Sequence, residues 1–132
     1  MSARGAERHR ARERALEILY EANIKNRPVN SILAALAIVP DPYTVEVLLS
    51  TEQHVNRAEE LISKHSHDWA LDRLALIDRL IMTMAIGELL LPDAPPTAVV
   101  LDEAVELAQV YSTEGSGSFV NGVLAACSED LK

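Results

Sequence analysis

Apolar residues recur along the chain at spacings of three and four, and no stretch of useful length shows the alternation of a β-strand. The first apolar stripe, from Ala11 to Ala22, predicts an amphipathic helix over residues 6–26. Only 5 Gly and 6 Pro interrupt the helical patterns. The sequence therefore predicts an all-α fold.

Breaks that contain Pro or Gly separate the later helices. The later helices are predicted over residues 31–37, 42–66, 69–91 and 97–111, and a last helix follows a loop at 112–117. A kink is expected near residues 50–51 of the 42–66 helix. We expect Asp41 to cap the 42–66 helix and Pro42 to be the first residue of that helix. The 69–91 helix is apolar on two faces, so other helices should cover it on two sides. The prediction is a bundle of six or seven helices in a single domain, residues 1–132, without an internal repeat.

Charge is distributed unevenly along the chain. The 132 residues carry a formal charge of −8, yet residues 1–14 hold five Arg and two Glu, a net of +3, which leaves −11 for the remainder. This acidic body with a basic arm, defined here as residues 1–14, predicts a charged partner. The hydrophobic fraction of 48% and the mean hydropathy of +0.06 exclude a disordered polar segment.

Cysteine usage and the distribution of apolar residues bear on location. Cys127 is the single cysteine and cannot form an intrachain disulfide, and the first arginines are not followed by the apolar stretch of a signal peptide. The most apolar run, residues 74–91, is interrupted by Asp78, Arg79 and Glu88, and it is too short and too polar to span a bilayer. We expect a cytoplasmic protein with no membrane partner.

The basic arm is the first candidate for a binding site. Its basic side chains are Arg4, Arg8, His9, Arg10, Arg12 and Arg14. Guanidinium groups bind phosphate oxygens in a bidentate manner at any pH. The helix dipole mildly disfavours cations at a helix N-terminus. Because five arginines occur here against that preference, a nucleic-acid binding site is as well supported as a merely solvated helix start.

Three further positions each allow two interpretations. Tyr20 lies off the first apolar stripe, where it either packs in a second core surface or meets a partner. Asp78 and Arg79 interrupt the most apolar helix and mark either an exposed edge or an interface. Phe119, the only Phe, follows a Gly/Ser loop, where it either stacks on an unpaired base or, as its position alone favours, packs in the core.

Motifs for catalysis or metal binding are weak. The loop around Gly115 and Gly117 lacks the Lys and the spacing of a P-loop. His65 and His67 would project about 200° apart on a helix, and no cysteine cluster supports a zinc site. No pair of acidic residues has the spacing and apolar setting of a general acid and base. We expect no catalytic residue, no metal and no cofactor.

Several stretches in order along the chain resemble the NusB family of transcription antitermination and ribosomal RNA processing factors. These stretches are residues 10–20 (RARERALEILY), Trp69, 73–75 (RLA), 77–79 (IDR), 85–89 (AIGEL), 102–108 (DEAVELA), 111–113 (YST) and 119–124 (FVNGVL). The first and last are fairly specific, whereas the 102–108 stretch alone is common in helices. Residues 28–56 match only in being helical.

The resemblance implies a NusB-like bundle without catalytic activity. A member of this family binds boxA RNA together with NusE, a ribosomal protein that also acts in antitermination, and reaches other Nus factors and RNA polymerase indirectly. The RNA contacts that it implies are Arg8, His9, Arg10, Arg12, Ser118 and Phe119. The protein-partner contacts that it implies are Tyr20, Asp78 and Arg79.

The chain departs from the family pattern at three positions. Gly87 replaces a frequent aromatic residue and leaves either a notch or a closer helix contact, Asp102 stands where Asn is usual, and Gly115 stands where an acid is frequent. Two alternative functions remain open. One is the helical RNA-binding domain of a truncated ribosomal RNA cytosine methyltransferase, and the other is a purely structural homodimer whose interface covers the basic arm.

Overall fold

A computed structural model describes residues 2–66 and 74–132, and within these ranges the chain forms seven α-helices and no β-strand. The helices are α1 (Ala3–Lys25), α2 (Val29–Ala35), α3 (Pro42–Gln53), α4 (Val55–His65), α5 (Leu76–Leu89), α6 (Thr97–Tyr111) and α7 (Ser116–Asp130). This confirms the predicted all-α class. Trp69 lies outside the described residues. The predicted 69–91 helix is too long in its described part, since residues 74 and 75 are not helical and α5 spans Leu76–Leu89.

The ends of α1 follow from its capping residues. The Ser2 hydroxyl accepts a hydrogen bond from the Gly5 N–H at 2.9 Å, so the helix begins three residues before the predicted start at residue 6. At the other end Asn26 adopts a left-handed conformation with φ of 52°, and Pro28 follows. The basic arm is therefore helical almost from its first residue.

Side chains also fix where α2 and α3 begin. The Glu52 carboxylate accepts a hydrogen bond from the Val29 N–H at 3.0 Å, which starts α2 two residues before its predicted first residue. The Asp41 carboxylate accepts from the Tyr43 N–H at 2.8 Å, with Pro42 as the first helical residue. The predicted cap of the long helix is confirmed.

Two more predicted boundaries are wrong. The expected 42–66 helix ends at Gln53, and α4 restarts at Val55, because His54 leaves the helical conformation. The break lies three residues after the predicted kink. The last helix begins at Ser116, inside the predicted 112–117 loop, because Gly115 turns the chain with φ of 88°.

Helix α5 is the centre of the bundle. It contacts α1, α3, α4, α6 and α7, and every residue from 80 to 88 is buried. The prediction that this helix is covered on more than one side is confirmed. None of the described helices combines the length and the apolar character needed to cross a bilayer.

Helix α3 approaches α5 closely at Gly87. A Cβ atom added at Gly87 would lie 2.4 Å from the Thr51 Oγ1 and 2.7 Å from the Thr51 Cα. Beside this contact the Ser50 hydroxyl donates a hydrogen bond to the Gly87 carbonyl at 2.6 Å. Of the two expectations for this glycine, the closer helix contact is the one that the structure contains.

A matched pair of glycine substitutions tests this contact. Gly87→Ala should lower the free energy of unfolding by about 1–3 kcal/mol, because the added methyl group meets backbone atoms of Thr51. Gly122→Ala, in open space on α7, should raise it by about 0.5–1 kcal/mol through helix propensity. Urea denaturation of both variants measures the difference. Equal effects of the same sign would show that the Gly87 contact is not tight.

Candidate nucleic-acid interface

The arginines of the basic arm do not form one patch. At about 100° per residue, Arg8 and Arg12 align with the buried stripe of α1 that packs on the core. Arg10 and Arg14 lie about 200° from them, on the opposite side of the helix. His9 lies on a third face, against α6. Each side chain therefore has a different environment.

Arg12 is buried, with 3% of its surface exposed. Its Nε donates to both carboxylate oxygens of Glu88 at 2.9 Å, and its Nη2 donates to the Oε2 of Glu88 at 2.7 Å. The Tyr43 hydroxyl donates to the same Oε2, and the Arg12 Nη1 lies 3.7 Å from the Oε2 of Glu103. The expectation that Arg12 belongs to the exposed arm and contacts RNA is wrong, because its guanidinium is enclosed between α1, α3, α5 and α6.

Burial and charge act in opposite directions on this cluster. Burial alone would lower the pKa of Arg12, but the hydrogen bond and charge of Glu88, assisted by Glu103, raise it above its ordinary value. Burial raises the pKa of Tyr43, and its hydrogen bond to Glu88 raises it further. The phenol therefore keeps its proton and donates it to the carboxylate.

The sequence assigned no functional role to Glu88, nor to its neighbours Tyr43 and Glu103. Glu88 lies within the buried segment 80–88 of α5 and is 1% exposed. A carboxylate at such a position requires a cation or several hydrogen-bond donors, since an unpaired buried charge is very costly. The position of Glu88 in an apolar helix was the signal in the sequence that this carboxylate needs a buried partner. The arginines of α1 were the candidates for that partner.

Arg8 lies one turn before Arg12 and reaches the edge of the same cluster. Its guanidinium carbon is 3.8 Å from the centroid of the Tyr43 ring, a cation–π contact, and the side chain is half-buried. Arg4, another turn earlier, is exposed and lines the same cleft as Arg8 beside Glu46. Arg8 is thus held in place while part of its surface stays accessible.

Arg10 and Arg14 are exposed on the opposite side of α1. They line a shallow cleft together with Ile38 and Val39, two exposed apolar residues of the loop between α2 and α3. Arg14 Nη1 also donates to the Glu17 Oε1 at 3.2 Å, across an exposed pair. Arg10 is therefore the predicted RNA contact with the most accessible guanidinium in this part of the arm.

His9 joins α1 to α6. Its Nδ1 lies 2.7 Å from the Oε2 of Glu103, and its Nε2 lies 3.7 Å from the Oε1 of Glu13. The hydrogen bond to Glu103 raises the pKa of His9, and burial opposes that shift only in part. The Tyr111 hydroxyl donates to the Oε2 of Glu13 at 3.1 Å and makes a second link between the two helices.

Ser118 and Phe119 lie in the first turn of α7, which packs against α6. Ser118 is exposed and lines a shallow cleft with Asp102, Glu106 and Asn121. Phe119 is half-buried and packs against the hydrophobic core, which confirms the packing interpretation, while base stacking stays a prediction. Among the predicted RNA contacts the structure therefore places both His9 and Ser118 near Glu106 of α6, and it keeps Arg10 on another face of α1.

The residues predicted to contact a protein partner differ in how exposed their side chains are. Tyr20 is 42% exposed, so the core-packing interpretation is wrong for it. Asp78 is buried, and its Oδ2 accepts a hydrogen bond from the Ser116 hydroxyl at 3.0 Å, while its Oδ1 has no partner among the described residues. The expectation that Asp78 lies on an exposed partner surface is therefore wrong. Arg79 is half-buried in a groove beside Asn23 of α1.

The departures at Asp102 and Gly115 lie near the start of α7. Gly115 is exposed, and a Cβ added to it would meet nothing within 4 Å, so its left-handed backbone, not lack of space, favours glycine there. Asp102 is exposed on α6 and lines the cleft that holds Ser118. An acidic side chain is therefore present on this surface even though Gly115 itself carries none.

Comparison with known proteins identifies the family. The sequence model of the NusB family matches residues 9–129. The chain belongs to the NusB family. It is similar to the transcription antitermination protein NusB of Streptomyces griseus, with 40% identity over 96% of this chain and 94% of that protein. NusB of Thermobifida fusca is 36% identical over 97% and 93% of the two chains.

Solved structures share the NusB fold. T. maritima NusB superposes with a TM-score of 0.82 at 28% identity, over 93% of this chain and 91% of that one. A second solved structure contains the antitermination factors NusB and NusE in complex with dsRNA. It has a TM-score of 0.78 at 23% identity, over 98% and 99% of the chains. The seven-helix bundle described above is therefore the fold of these NusB proteins.

The buried cluster is tested by a matched pair of arginine substitutions. Arg12→Met should lower the free energy of unfolding by about 3–5 kcal/mol, because it leaves the Glu88 carboxylate buried and unpaired. Arg14→Met, which removes only an exposed pair, should change it by less than about 1 kcal/mol. Chemical denaturation measures both.

A double variant separates charge from packing at this position. Arg12→Met combined with Glu88→Leu should recover much of the lost stability, since no charge then remains unpaired in the core. A loss in the double variant as large as the sum of the two single losses would contradict the charge-pairing explanation.

Proposed function

We propose that this chain is an RNA-binding adaptor of transcription antitermination and ribosomal RNA synthesis, which binds boxA RNA together with the ribosomal protein NusE. The observation that carries the proposal is membership of the NusB family over nearly the whole chain. Two relatives that are each 40% identical to this chain carry the name transcription antitermination protein NusB. A solved NusB neighbour forms its complex with NusE and dsRNA, which is the partner class proposed here.

The proposed RNA surface consists of side chains around the start of α1 and the start of α7. Arg8, Arg10 and His9 supply positive charge, and Ser118 and Phe119 supply a hydroxyl and an aromatic ring. Arg12 lies buried beneath this surface and supports it through its ion pair with Glu88. Because Glu88 neutralises Arg12, the basic arm keeps four Arg and two Glu, a net of +2.

Weak RNA binding by the isolated protein is part of the proposal. The body beyond the arm carries −11, and Glu103 and Glu106 of α6 lie beside His9. These charges repel phosphate groups and discourage indiscriminate RNA binding. NusE, as a basic ribosomal protein, would offset that repulsion and strengthen the complex.

The proposed surface for the protein partner centres on Tyr20. Ile24 is one turn away on the same face of α1 and is 59% exposed. Tyr111 of α6 is exposed as well and bonds to Glu13 on this face of α1. Exposed aromatic and aliphatic residues in such an arrangement suit a protein interface. Asp78 would act indirectly, by holding Ser116 at the start of α7.

The chain catalyses no reaction and uses no catalytic cofactor. It works in the cytoplasm, and residues 1–132 form a single domain. The family membership and the single core of the bundle support these assignments.

Titration of fluorescent boxA RNA at several salt concentrations, with and without NusE, tests the proposed function. With about three phosphates neutralised, the slope of log affinity against log salt should be near −2. NusE should tighten binding to boxA more than to a scrambled RNA. A slope near zero together with no gain from NusE would overturn the proposal.

The contribution of the basic arm is tested by removing one exposed arginine. Arg10→Ala should weaken boxA and scrambled RNA alike, and it should make the salt slope shallower by about 0.7. Arg57→Ala, which removes an exposed arginine from α4, is the matched control and should leave the slope unchanged. Equal effects of the two variants would mean that the arm is not the site of phosphate contact.

Phe119 is tested by a substitution that keeps its core packing. Phe119→Leu should preserve the fold and weaken boxA binding by roughly 5- to 100-fold relative to scrambled RNA, because it removes a stacking face. Thermal unfolding checks that the bundle is intact. An equal loss for both RNAs would exclude base stacking by this ring.

A further inference from the structure

One group of possible metal ligands occurs in the part of the chain that the structure describes. His9 of α1 and Glu103 and Glu106 of α6 each offer a ligand atom, and these atoms all lie within 4.8 Å of one another. His9 and Glu103 are half-buried and Glu106 is exposed, so the group is open to an ion from solvent. We propose that these three side chains form a binding site for a divalent transition metal ion of the zinc class, which joins α1 to α6.

The ligand types select the class of ion. One imidazole and two carboxylates suit Zn²⁺, whereas Ca²⁺ and Mg²⁺ prefer sites made of oxygen alone. Tetrahedral Zn²⁺ with bonds of about 2.0–2.2 Å separates its ligand atoms by roughly 3.4 Å. To admit the ion, His9 Nδ1 and Glu103 Oε2, now 2.7 Å apart, must separate by about 0.7 Å. A rotation of the exposed Glu106 side chain would bring in the third ligand atom, and solvent can supply the fourth ligand.

The orientation of His9 agrees with this assignment. Its Nδ1 faces Glu103, and its Nε2 faces the Glu13 carboxylate at 3.7 Å. Metal-bound histidines characteristically donate their second ring N–H to a carboxylate, which fixes the ring and its tautomer. The Tyr111 hydroxyl in turn donates to Glu13. On binding the ion, Nδ1 would exchange its 2.7 Å hydrogen bond to Glu103 for a bond to the metal that Glu103 shares, and Glu13 would remain close to the other ring nitrogen.

The local charge also favours a divalent cation. Glu13, Glu103 and Glu106 surround one imidazole, and the nearest guanidinium, that of Arg12, makes its hydrogen bonds to Glu88. A divalent ion would balance two of these carboxylates. The site does not require RNA, and it extends beyond the proposed function.

The site has a consequence for the surface around it. Glu106 also lines the cleft that contains Ser118. A bound ion would make the potential between His9 and the start of α7 less negative. It would also hold α1 and α6 together at this end of the bundle.

Calorimetric titration of the tag-free, chelator-treated full chain with ZnCl2 tests the proposal. We expect one ion per chain, and we expect His9→Asn and Glu106→Gln each to weaken binding at least about tenfold. His65→Asn is the matched control. It removes a histidine that also contacts a carboxylate, that of Asp130 at 2.8 Å, and it should leave binding unchanged.

A second readout guards against unfolded variants. Saturating ZnCl2 should raise the unfolding temperature of the wild-type chain and not that of His9→Asn, because only the native site joins the two helices. MgCl2 at the same concentration should have little effect. Absence of stoichiometric zinc binding, or a loss in His65→Asn as large as in His9→Asn, would overturn the proposal. Because RNA is absent throughout, such a result would leave the proposed function standing.

Discussion

The buried ion pair between Arg12 and Glu88 is the contact on which the arrangement of this bundle depends. It joins α1 to the central helix α5, and Tyr43 adds α3 through its hydrogen bond to the same carboxylate. Two buried charges are tolerable only while they stay in register, since separating them leaves an unpaired ion in the core. The pair therefore fixes the rotation of α1 about its axis. That rotation directs Arg8 over the Tyr43 ring and His9 towards α6.

The helices themselves were largely predictable from the sequence, because the apolar spacing of each records which face it buries. α6 was predicted with its observed bounds, and the cap of α3 at Asp41 was found from residue type alone. The misplaced boundaries have local causes. Glu52 caps α2 from 23 residues away, and the chain leaves the helix at His54, which carries no proline or glycine signal. Contacts between distant residues are not visible in a local pattern.

The candidate site was predictable only in part, and the errors have one physical origin. Arg12 is one of five similar arginines, and its burial depends on a partner 76 residues away in sequence. Asp78 is buried for the same kind of reason, through Ser116, whereas the aromatic Tyr20 remains at the surface. Residue type predicts average exposure, but pairing decides the fate of an individual charge. The resemblance located the arm and the start of α7, and the structure separated their supporting residues from their accessible ones.

The contact between Gly87 and Thr51 has a consequence for how sequences of this family can vary. Gly87 immediately precedes Glu88, and Thr51 belongs to the helix that carries Tyr43. The side-chain volume at position 87 therefore determines how near α3 can lie to the buried ion pair. An aromatic side chain at this position would push α3 away from α5 and alter how Glu88 is paired. Positions 43, 51 and 87 thus form a coupled set, and a chimera that exchanges α3 between two members of the family has to exchange all three together.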